Sequence, residues 1–391
     1  MKKRFIALVA IAALLLSAMS GLAMAQASGN AQAHAPDQIL VKFQPGTSET
    51  TQADIHRKHG GRVVDSIPGI DVQVVRIPEN KVDEKVRGYR GEASVEFAEP
   101  DFIAEAVFAP NDPYFGKQWG MAKIQAPEAW DITQGSAEVK IARLDTGIDQ
   151  NHEDLAAKIV ANKNFTRSRS VDDKYGHGTH VAGIAAAITN NGKGVTGVGF
   201  NSSLMNVKVL DDNGMGNYSW VASGIVWAAD NGAQTINLSL GGSSASDTLK
   251  NAVDYAWGKG SVLVAAAGNS NTDAPLYPAY YENSIAVAAT DQNDAKASFS
   301  NYGAWVDIAA PGVDIFSTMP NHKNRIGILN YGSLSGTSMS TPHVAGVAAL
   351  VFAAKPGWTN AEVRTQIQAS ADPTTGFTTA IGRVNAYKAV Q

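Results

Sequence analysis

Five short, mainly apolar runs constrain the fold of this 391-residue chain more than any other feature. Successive side chains of a strand point to opposite faces, so a run without polar alternation requires both faces to be buried. Strands of this kind belong to parallel sheets that helices cover on both sides. The runs are residues 139–144, 204–210, 235–240, 262–267 and 284–289.

Ala- and Gly-rich stretches with helical patterns lie between these runs, at about residues 177–189, 218–231 and 246–259. The alternation of strand and helix predicts an α/β domain with a doubly wound, mostly parallel sheet. Ligands of such sheets bind outside the carboxyl ends of the strands. Polar residues that end the predicted strands are therefore the first candidates for functional groups.

The first 25 residues have the three parts of a secretory signal peptide. Three basic residues precede an apolar run over residues 5–22, and small residues surround Met24. A membrane anchor is the alternative, because the run is nearly long enough to span a bilayer. The small-residue exit favours cleavage, and no second apolar stretch is expected to approach 18 residues. We therefore expect a secreted protein with no membrane attachment after the signal peptide is removed.

Residues 26–107 form a second segment, which is nearly twice as charged per residue as the rest of the mature chain. Its pattern predicts strands near 38–43, 62–67, 72–77 and 94–97, with helices near 48–59 and 80–89. The order β-α-β-β-α-β is that of a small α+β, split βαβ module. Residues 108–391 are then left for the large α/β domain.

Composition excludes several classes of protein and site. Cysteine is absent, so the chain has no disulfide, no thiolate metal site and no cysteine nucleophile. The 32 Lys and Arg residues against 36 Asp and Glu give a net charge of −4, which is too balanced for a nucleic-acid partner. An exported chain without disulfides needs another source of stability.

Four polar residues at or after predicted strand ends suggest acyl-transfer chemistry. Asp145 opens an Asp-Thr-Gly sequence, His177 lies in Gly-His-Gly-Thr-His, and Ser338 lies in Gly-Thr-Ser-Met-Ser. Each alone is ordinary for a turn or a helix cap. Together they supply a serine nucleophile, an imidazole base and a carboxylate that orients the base. Asn269 and the start of a helix predicted over residues 338–353 would stabilise an oxyanion.

The order Asp, His, Ser and the wording of these motifs resemble the subtilisin family, or subtilases, and above all its thermitase-like members. The likeness covers nearly all of residues 109–391, including Pro-Asn-Asp-Pro-Tyr-Phe at 110–115 and Gly-Arg-Val-Asn-Ala-Tyr-Lys at 382–388. It implies a serine endopeptidase that acts through an acyl-enzyme. Its triad would be Asp145, His177 and Ser338, with Asn269 as the oxyanion donor.

The same resemblance implies a groove for an extended polypeptide. A peptide that adds to a sheet edge binds mainly through its main chain, which predicts broad specificity. The walls of the primary pocket carry no charge, so apolar or aromatic side chains are expected there. Leu276 stands where many subtilisins have a small residue, and it either shortens the pocket or turns into the core. The groove residues would be Gly214, Met215, Gly216, Ser239, Leu240, Gly241, Ala266, Ala267 and Gly268.

Calcium is the cofactor that the resemblance implies, as a structural ion that replaces disulfides. A second calcium loop of the thermitase-like members aligns with residues 164–170, where arginines replace oxygen donors, so that site is expected to be lost. His177 and His180 lack a third ligand for zinc. The tight site would use Asp112, Asp154, Ile188, Asn191, Lys193 and Val195, and a weaker cation site Ala279, Tyr281, Ser284 and Asp307.

The segment 26–107 resembles the inhibitor-like prodomain of subtilases. It would template folding, inhibit the enzyme and leave by self-cleavage near residues 107–108, whereas the alternative is a permanent protein-binding domain. We expect a monomer that acts on polypeptides.

Two other functions stay open. An aspartic peptidase would use Asp-Thr-Gly twice, but only one copy is present. A catalytically silent binding protein on the same fold is the second alternative.

Overall fold

The computed structural model describes residues 33–104 and 108–391, so the predicted signal peptide and part of the predicted cleavage point lie outside the described residues. The chain divides into two compact units, Met1–Ala106 and Val107–Gln391. This division falls one residue before the boundary expected from composition.

The first unit is a four-stranded antiparallel sheet with two helices. Its strand order, β2-β3-β1-β4, and the chain order β-α-β-β-α-β confirm the predicted split βαβ module. Ser48 caps the first helix by accepting a hydrogen bond from the Thr51 N–H, and Gly60 ends it in a left-handed conformation. The elements are β1 (His34–Phe43), α1 (Glu49–His59), β2 (Arg62–Ile67), β3 (Val72–Arg76), α2 (Val82–Arg90) and β4 (Val95–Phe102).

Residues 108–391 are built on a nine-stranded sheet of order β14-β15-β11-β10-β9-β8-β5-β7-β6. All neighbouring strands pair in parallel except β14 and β15 at one edge. A separate antiparallel pair, β12 and β13, lies outside this sheet. The strands are β5 (Lys140–Asp145), β6 (Ile159–Asn164), β7 (Ser203–Lys208), β8 (Thr235–Leu238), β9 (Val262–Ala266), β10 (Ser284–Thr290), β11 (Ile308–Pro311), β12 (Ile315–Thr318), β13 (Tyr331–Leu334), β14 (Asp372–Pro373) and β15 (Gly382–Arg383).

Helices cover both faces of the large sheet, which confirms the predicted doubly wound α/β architecture. Helices α5 and α8 share one apolar core with the sheet, and α6 and α7 share the other. The helices are α3 (Trp119–Lys123), α4 (Ala126–Ile132), α5 (His177–Ala186), α6 (Tyr218–Asp230), α7 (Asp247–Gly258), α8 (Thr337–Ala354), α9 (Asn360–Ala369) and α10 (Ala386–Val390).

Strand β9 shows why the apolar runs lack polar alternation. Val262 and Val264 enter the core beneath α8, whereas Leu263 and Ala265 enter the core beneath α6 and α7. Every side chain of such a strand is buried, because each face has its own helical layer. All five predicted runs are strands of the sheet.

Helix α8 corrects one expectation from the sequence. It has 18 residues and a mean hydropathy of 1.2, so a second apolar stretch does reach the length that could cross a membrane. In the structure, however, 78% of this stretch is buried inside the protein. It is apolar all round because it packs against the sheet, helix α5 and helices α9 and α10.

Strand β5 lies at the point where the order of connections reverses. Its neighbours are β7 on one side and β8 on the other, and later strands are added outward from β8. A crevice opens at the carboxyl ends of strands at such a switch point. Asp145, the last residue of β5, lies there.

Candidate active site

Asp145 and His177 form a direct pair at the carboxyl end of β5. The Nδ1 atom of His177 lies 2.8 Å from Oδ1 and 3.0 Å from Oδ2 of Asp145. Because an ionised carboxylate only accepts hydrogen bonds, Nδ1 is the donor, and Nε2 is left as the acceptor of the neutral ring. The Thr146 N–H donates to Oδ1 over 2.7 Å and fixes the carboxylate.

The pKa values of Asp145 and His177 both differ from their ordinary values. Burial acts to raise the pKa of Asp145, but the charge and hydrogen bond of His177 and the charge of Arg143 outweigh it, so that the pKa is lowered. Burial acts to lower the pKa of His177, yet the charges of Asp145 and Asp173 raise it overall. The carboxylate therefore stays ionised while the imidazole gains affinity for a proton.

Asp173 holds the start of helix α5 and with it His177. It is fully buried, and its Oδ1 accepts hydrogen bonds from the Gly176 N–H (2.8 Å) and the Thr146 hydroxyl (2.8 Å). Its Oδ2 accepts from the N–H and the hydroxyl of Thr179, at 2.7 and 2.8 Å. An acidic side chain that takes up the free N–H groups of a first helical turn fixes that turn. The histidine is thereby held on a rigid helix end.

Ser338 stands in the first turn of α8 and is tied to the end of β8. Its Oγ donates to the Ser239 carbonyl over 3.2 Å, and the Ser239 hydroxyl donates to the Ser338 carbonyl over 2.8 Å. No hydrogen bond joins Ser338 to His177 among the described residues. Of the two hydrogen bonds expected in the triad, only the one between Asp145 and His177 is formed. Contacts of this kind are often long before substrate binds.

Asn269 lies beside Ser338 with its amide oriented. Its Oδ1 accepts from the N–H (2.8 Å) and the hydroxyl (3.0 Å) of Thr337. The oxygen is thus occupied, and the exposed Nδ2 remains available as a donor. The Ser338 N–H is one of the first-turn groups that a helix leaves without an intrahelical acceptor. The Ser338 N–H and the Asn269 amide are therefore the two candidate donors to an oxyanion.

A cleft of about 330 Å³ runs beside this site. The ring of Tyr175 packs against Gly214, where any side chain would collide with it. Met215 is 69% exposed at the edge of the cleft. The cleft brings His177 together with most of the predicted groove, and its lining includes Gly214, Met215, Gly216, Ser239, Leu240 and Gly241.

Leu276 lies between the two predicted walls of the primary pocket. A Cβ atom on Gly241 would meet its Cδ2 atom at 2.5 Å, and a Cβ on Gly268 would meet it at 3.1 Å. The side chain is half-buried and contacts both glycines. The Leu276 side chain therefore occupies the space between Gly241 and Gly268. The other wall residues, Ala266 and Ala267, are buried at the end of β9.

Comparisons with known proteins agree with this geometry. The model of the subtilase family matches residues 136–385, and that of the fervidolysin N-terminal prodomain matches residues 21–101. The chain belongs to the subtilase family. It is a serine endopeptidase with an N-terminal prodomain, which excludes the aspartic-peptidase and silent-binder alternatives.

Three relatives show how far this similarity extends. Thermitase of Thermoactinomyces vulgaris is 54% identical over 73% of this chain and all of its own length. A thermophilic serine proteinase of Bacillus sp. strain AK1 is 42% identical over 92% of this chain and 88% of its own. The solved structure of a protease from Pseudoalteromonas arctica has a TM-score of 0.68 at 35% identity, and covers 72% of this chain and 99% of that one.

The predicted tight calcium site of this subtilase brings together two buried carboxylates. Asp112 is 4% exposed and Asp154 is fully buried, and the Asn191 amide donates to Asp154 over 2.9 Å. Burial raises the pKa of both carboxyl groups. No basic side chain pairs with either one in residues 108–391, since Lys193 points to Glu153 instead.

The loop at residues 188–195 folds closely around Asp154. Any side chain at Gly194 would collide with Asp154, so a glycine is needed for the loop to approach. The N–H of Val195 donates to Asp154 over 2.8 Å, and the N–H of Ile188 donates to the Asp154 carbonyl over 2.8 Å. The chain therefore folds around Asp154, and a hard cation would neutralise these oxygen donors.

The predicted weaker cation site does not fit as well. Asp307 is paired with Arg364 over 3.0 Å and also accepts from Gln368 over 2.8 Å. The Tyr281 carbonyl accepts from the Ser284 N–H, and Ala279 is buried in the core. A guanidinium already neutralises the only carboxylate of this set, so a cation has little to gain there.

The structure also bears on the zinc and second calcium sites, both of which the sequence argues against. His180 is fully buried and its Nε2 reaches the carbonyls of Ile315 and Gly332, while burial lowers its pKa to about 3. It is a neutral residue that joins α5 to β12 and β13, and it is not placed to bind zinc. Asn164, in the loop expected to have lost calcium, bonds to its own neighbours Thr166 and Ser168.

Sequence reasoning missed the buried charges around the site, namely Arg143 and Asp173. An Arg inside an apolar strand is a signal that was available in the sequence. An Asp shortly before a helix start is another.

Proposed function

We propose that this subtilase is a secreted serine endopeptidase that is made as a self-processing zymogen. Asp145, His177 and Ser338 would act as its triad, and Asn269 as the oxyanion donor. The Asp145–His177 pair at the switch point of the sheet, with Ser338 held at the start of α8, is the observation that supports this most. The basic, apolar N-terminal sequence supports export.

Peptide hydrolysis would follow from this arrangement in two balanced steps. Ser338 Oγ attacks the peptide carbonyl carbon while His177 Nε2 takes its proton, and the oxyanion is held by the Ser338 N–H and the Asn269 amide. The imidazolium then protonates the leaving amine, which leaves an acyl-enzyme. In the second step, water attacks the acyl carbon while His177 Nε2 takes its proton. The imidazolium then returns a proton to Ser338 Oγ, and the second product leaves as a carboxylic acid.

The prodomain is proposed to template folding and to inhibit the enzyme until it is cleaved off near residues 107–108. The nine-stranded, mostly parallel sheet pairs strands that are distant in sequence, so it is expected to fold slowly and to expose unpaired edges meanwhile. A preformed partner surface would lower that barrier. The mature domain would begin near Phe108 and act as a monomer.

Ser338→Ala tests self-processing directly. The secreted variant should retain its full prodomain, as measured by N-terminal sequencing and mass spectrometry. The native protein is analysed in the same way with and without a serine-directed organophosphate. Ser340→Ala is the matched control, because it removes a buried hydroxyl two residues further along the same helix. A new N-terminus near Phe108 in pure Ser338→Ala protein would overturn the proposal.

Substrate preference is proposed to be broad, with apolar or aromatic side chains before the scissile bond. Leu276 would restrict the largest of them, because it lies between Gly241 and Gly268. Leu276→Gly should raise kcat/KM for a Phe substrate relative to an Ala substrate by about tenfold or more. An unchanged ratio would mean that Leu276 does not line the pocket.

Calcium is proposed at Asp112 and Asp154, with Asn191 and the carbonyls of Ile188, Lys193 and Val195 as further ligands. Its role would be structural, because an ion that binds only the folded state adds to the free energy of unfolding.

A further inference from the structure

Arg143 is an unexpected charge in the centre of the large sheet. It is the fourth residue of β5, two before Asp145, and its side chain is fully buried. Its Nη1 lies 3.5 Å from Asp145 Oδ2. Burying a guanidinium costs several kcal/mol unless nearby charges and hydrogen bonds offset it. The position of this arginine therefore needs a reason.

The surrounding residues are shaped to accept this side chain. Its Nη2 donates to Asn206 Oδ1 over 3.2 Å, and the Asn206 amide nitrogen is itself held by Asn162 and the Val171 carbonyl. Gly178, in the first turn of α5, leaves the space that the guanidinium fills, since a Cβ there would collide with Nη1. The guanidinium is thus fixed against the backbone of the helix that bears His177.

Hydrogen bonding alone does not account for Arg143. Its Nε and Nη1 atoms have no hydrogen-bond partner among the described residues. A merely structural arginine would be expected to satisfy them. Its remaining interaction is the charge that it directs toward Asp145.

Titratable side chains lie on several elements that pack around His177. Helix α8, which packs against α5, carries His343, which is neutral because burial lowers its pKa to about 4. Strand β5 supplies Asp145 and Arg143, and the segment before α5 supplies Asp173. His180, on α5 itself, is neutral because burial lowers its pKa. Lys208, on β7, bonds to the Thr146 carbonyl and is paired with Asp212.

Two buried carboxylates would hold a proton on His177 strongly if they acted alone. One guanidinium beside them removes half of that negative charge, and a neutral imidazole is the form that can act as a base. We infer that Arg143 is a positioning residue that offsets the charge of Asp145 and Asp173 and so keeps His177 deprotonated over a wider pH range. This inference rests on the proposed function of the triad.

The acid limb of the pH profile tests the inference. Arg143→Met should move the pH at which kcat/KM falls to higher pH by roughly one unit, since one buried charge at this range shifts a pKa by about that much. Arg143→Lys keeps the charge and should keep the limb near that of the native enzyme. Arg383→Met is the control, because Arg383 is also buried and ion-paired but lies on β15. A structural role alone would lower stability without moving the limb.

A second measurement covers variants that do not self-process. In a Ser338→Ala background, the pKa of His177 can be followed directly by NMR, and Arg143→Met should raise it. An unchanged pKa or acid limb would overturn the inference. The inference would also be overturned if neither Arg143→Met nor Arg143→Gln folds while Arg383→Met does. If His177→Ala keeps full activity, the proposed triad fails instead.

Discussion

Two pairs of buried carboxylates in the peptidase unit are stabilised in different ways. Asp145 and Asp173 face His177 and Arg143, which are side chains of the protein itself. Asp112 and Asp154 accept from N–H, amide and hydroxyl donors, and within residues 108–391 neither one pairs with a Lys or Arg side chain. Both regions have buried carboxylates, so the carboxylates do not distinguish them. What differs is the source of positive charge: the proton-transfer site has a basic side chain of the protein, whereas the proposed cation site would obtain its positive charge from a bound ion.

Asp145→Asn should produce the largest effect. The amide would favour the wrong tautomer of His177, so kcat should fall by about 10⁴-fold, the size typical of this change in Ser-His-Asp peptidases. The fold should be kept, because the Thr146 N–H can still donate to the amide oxygen. Turnover of a chromogenic peptide measures it, with Asp291→Asn, in the turn after β10, as a control. A loss of less than tenfold would contradict the role of Asp145.

Calcium removal should have the next largest effect, and it acts on the other region. A ligand at a hundred times its Kd adds about 2.7 kcal/mol to the free energy of unfolding, so a chelator should lower the Tm by roughly 5 to 10 °C. Asp154→Asn should lower the Tm by itself and abolish the response to the chelator. Calorimetry in calcium and in chelator measures both. Superimposable curves for the native enzyme would contradict the site.

The pH dependence of the native enzyme should be the third effect. Asp145 and Asp173 raise the pKa of His177 above its ordinary value of 6.5. Activity is therefore present above this raised pKa and should fall about tenfold for each pH unit below it, since the protonated ring is not a base. The kcat/KM profile of a small substrate measures the limb. A limb below pH 6.5 would show that burial, and not the carboxylates, controls the imidazole.

The strands that are buried on both faces could be predicted from the sequence. Residues 262–267 look apolar throughout because both faces of β9 are covered, and β9 is where the pattern placed it. Strand β6 was missed, because it lies at the sheet edge and mixes exposed with half-buried residues. Strand β11, with only four residues, was also missed.

The site was predictable only in part. Asp145, His177 and Ser338 follow strand ends or open helices, so motif and topology locate them together. Arg143 was missed because its compensation comes from Asp173, Gly178 and Asn206, which are 30 to 63 residues away in sequence. The pairing of Asp307 with Arg364 joins residues 57 apart and was equally invisible.

Arg364→Met removes the basic partner of a third carboxylate, Asp307, and should have the smallest effect. The pair of Arg364 and Asp307 is 20% exposed on both sides, so its loss should cost about 1 kcal/mol of unfolding free energy. Asp307 would then resemble Asp154 in having no Lys or Arg partner. In an Asp154→Asn background, this variant should gain a small rise in Tm on adding calcium, whereas Gln368→Ala, which removes only a neutral donor, should not. If calcium has no effect on either variant, the carbonyls near Asp307 do not form a cation site even when the carboxylate is free.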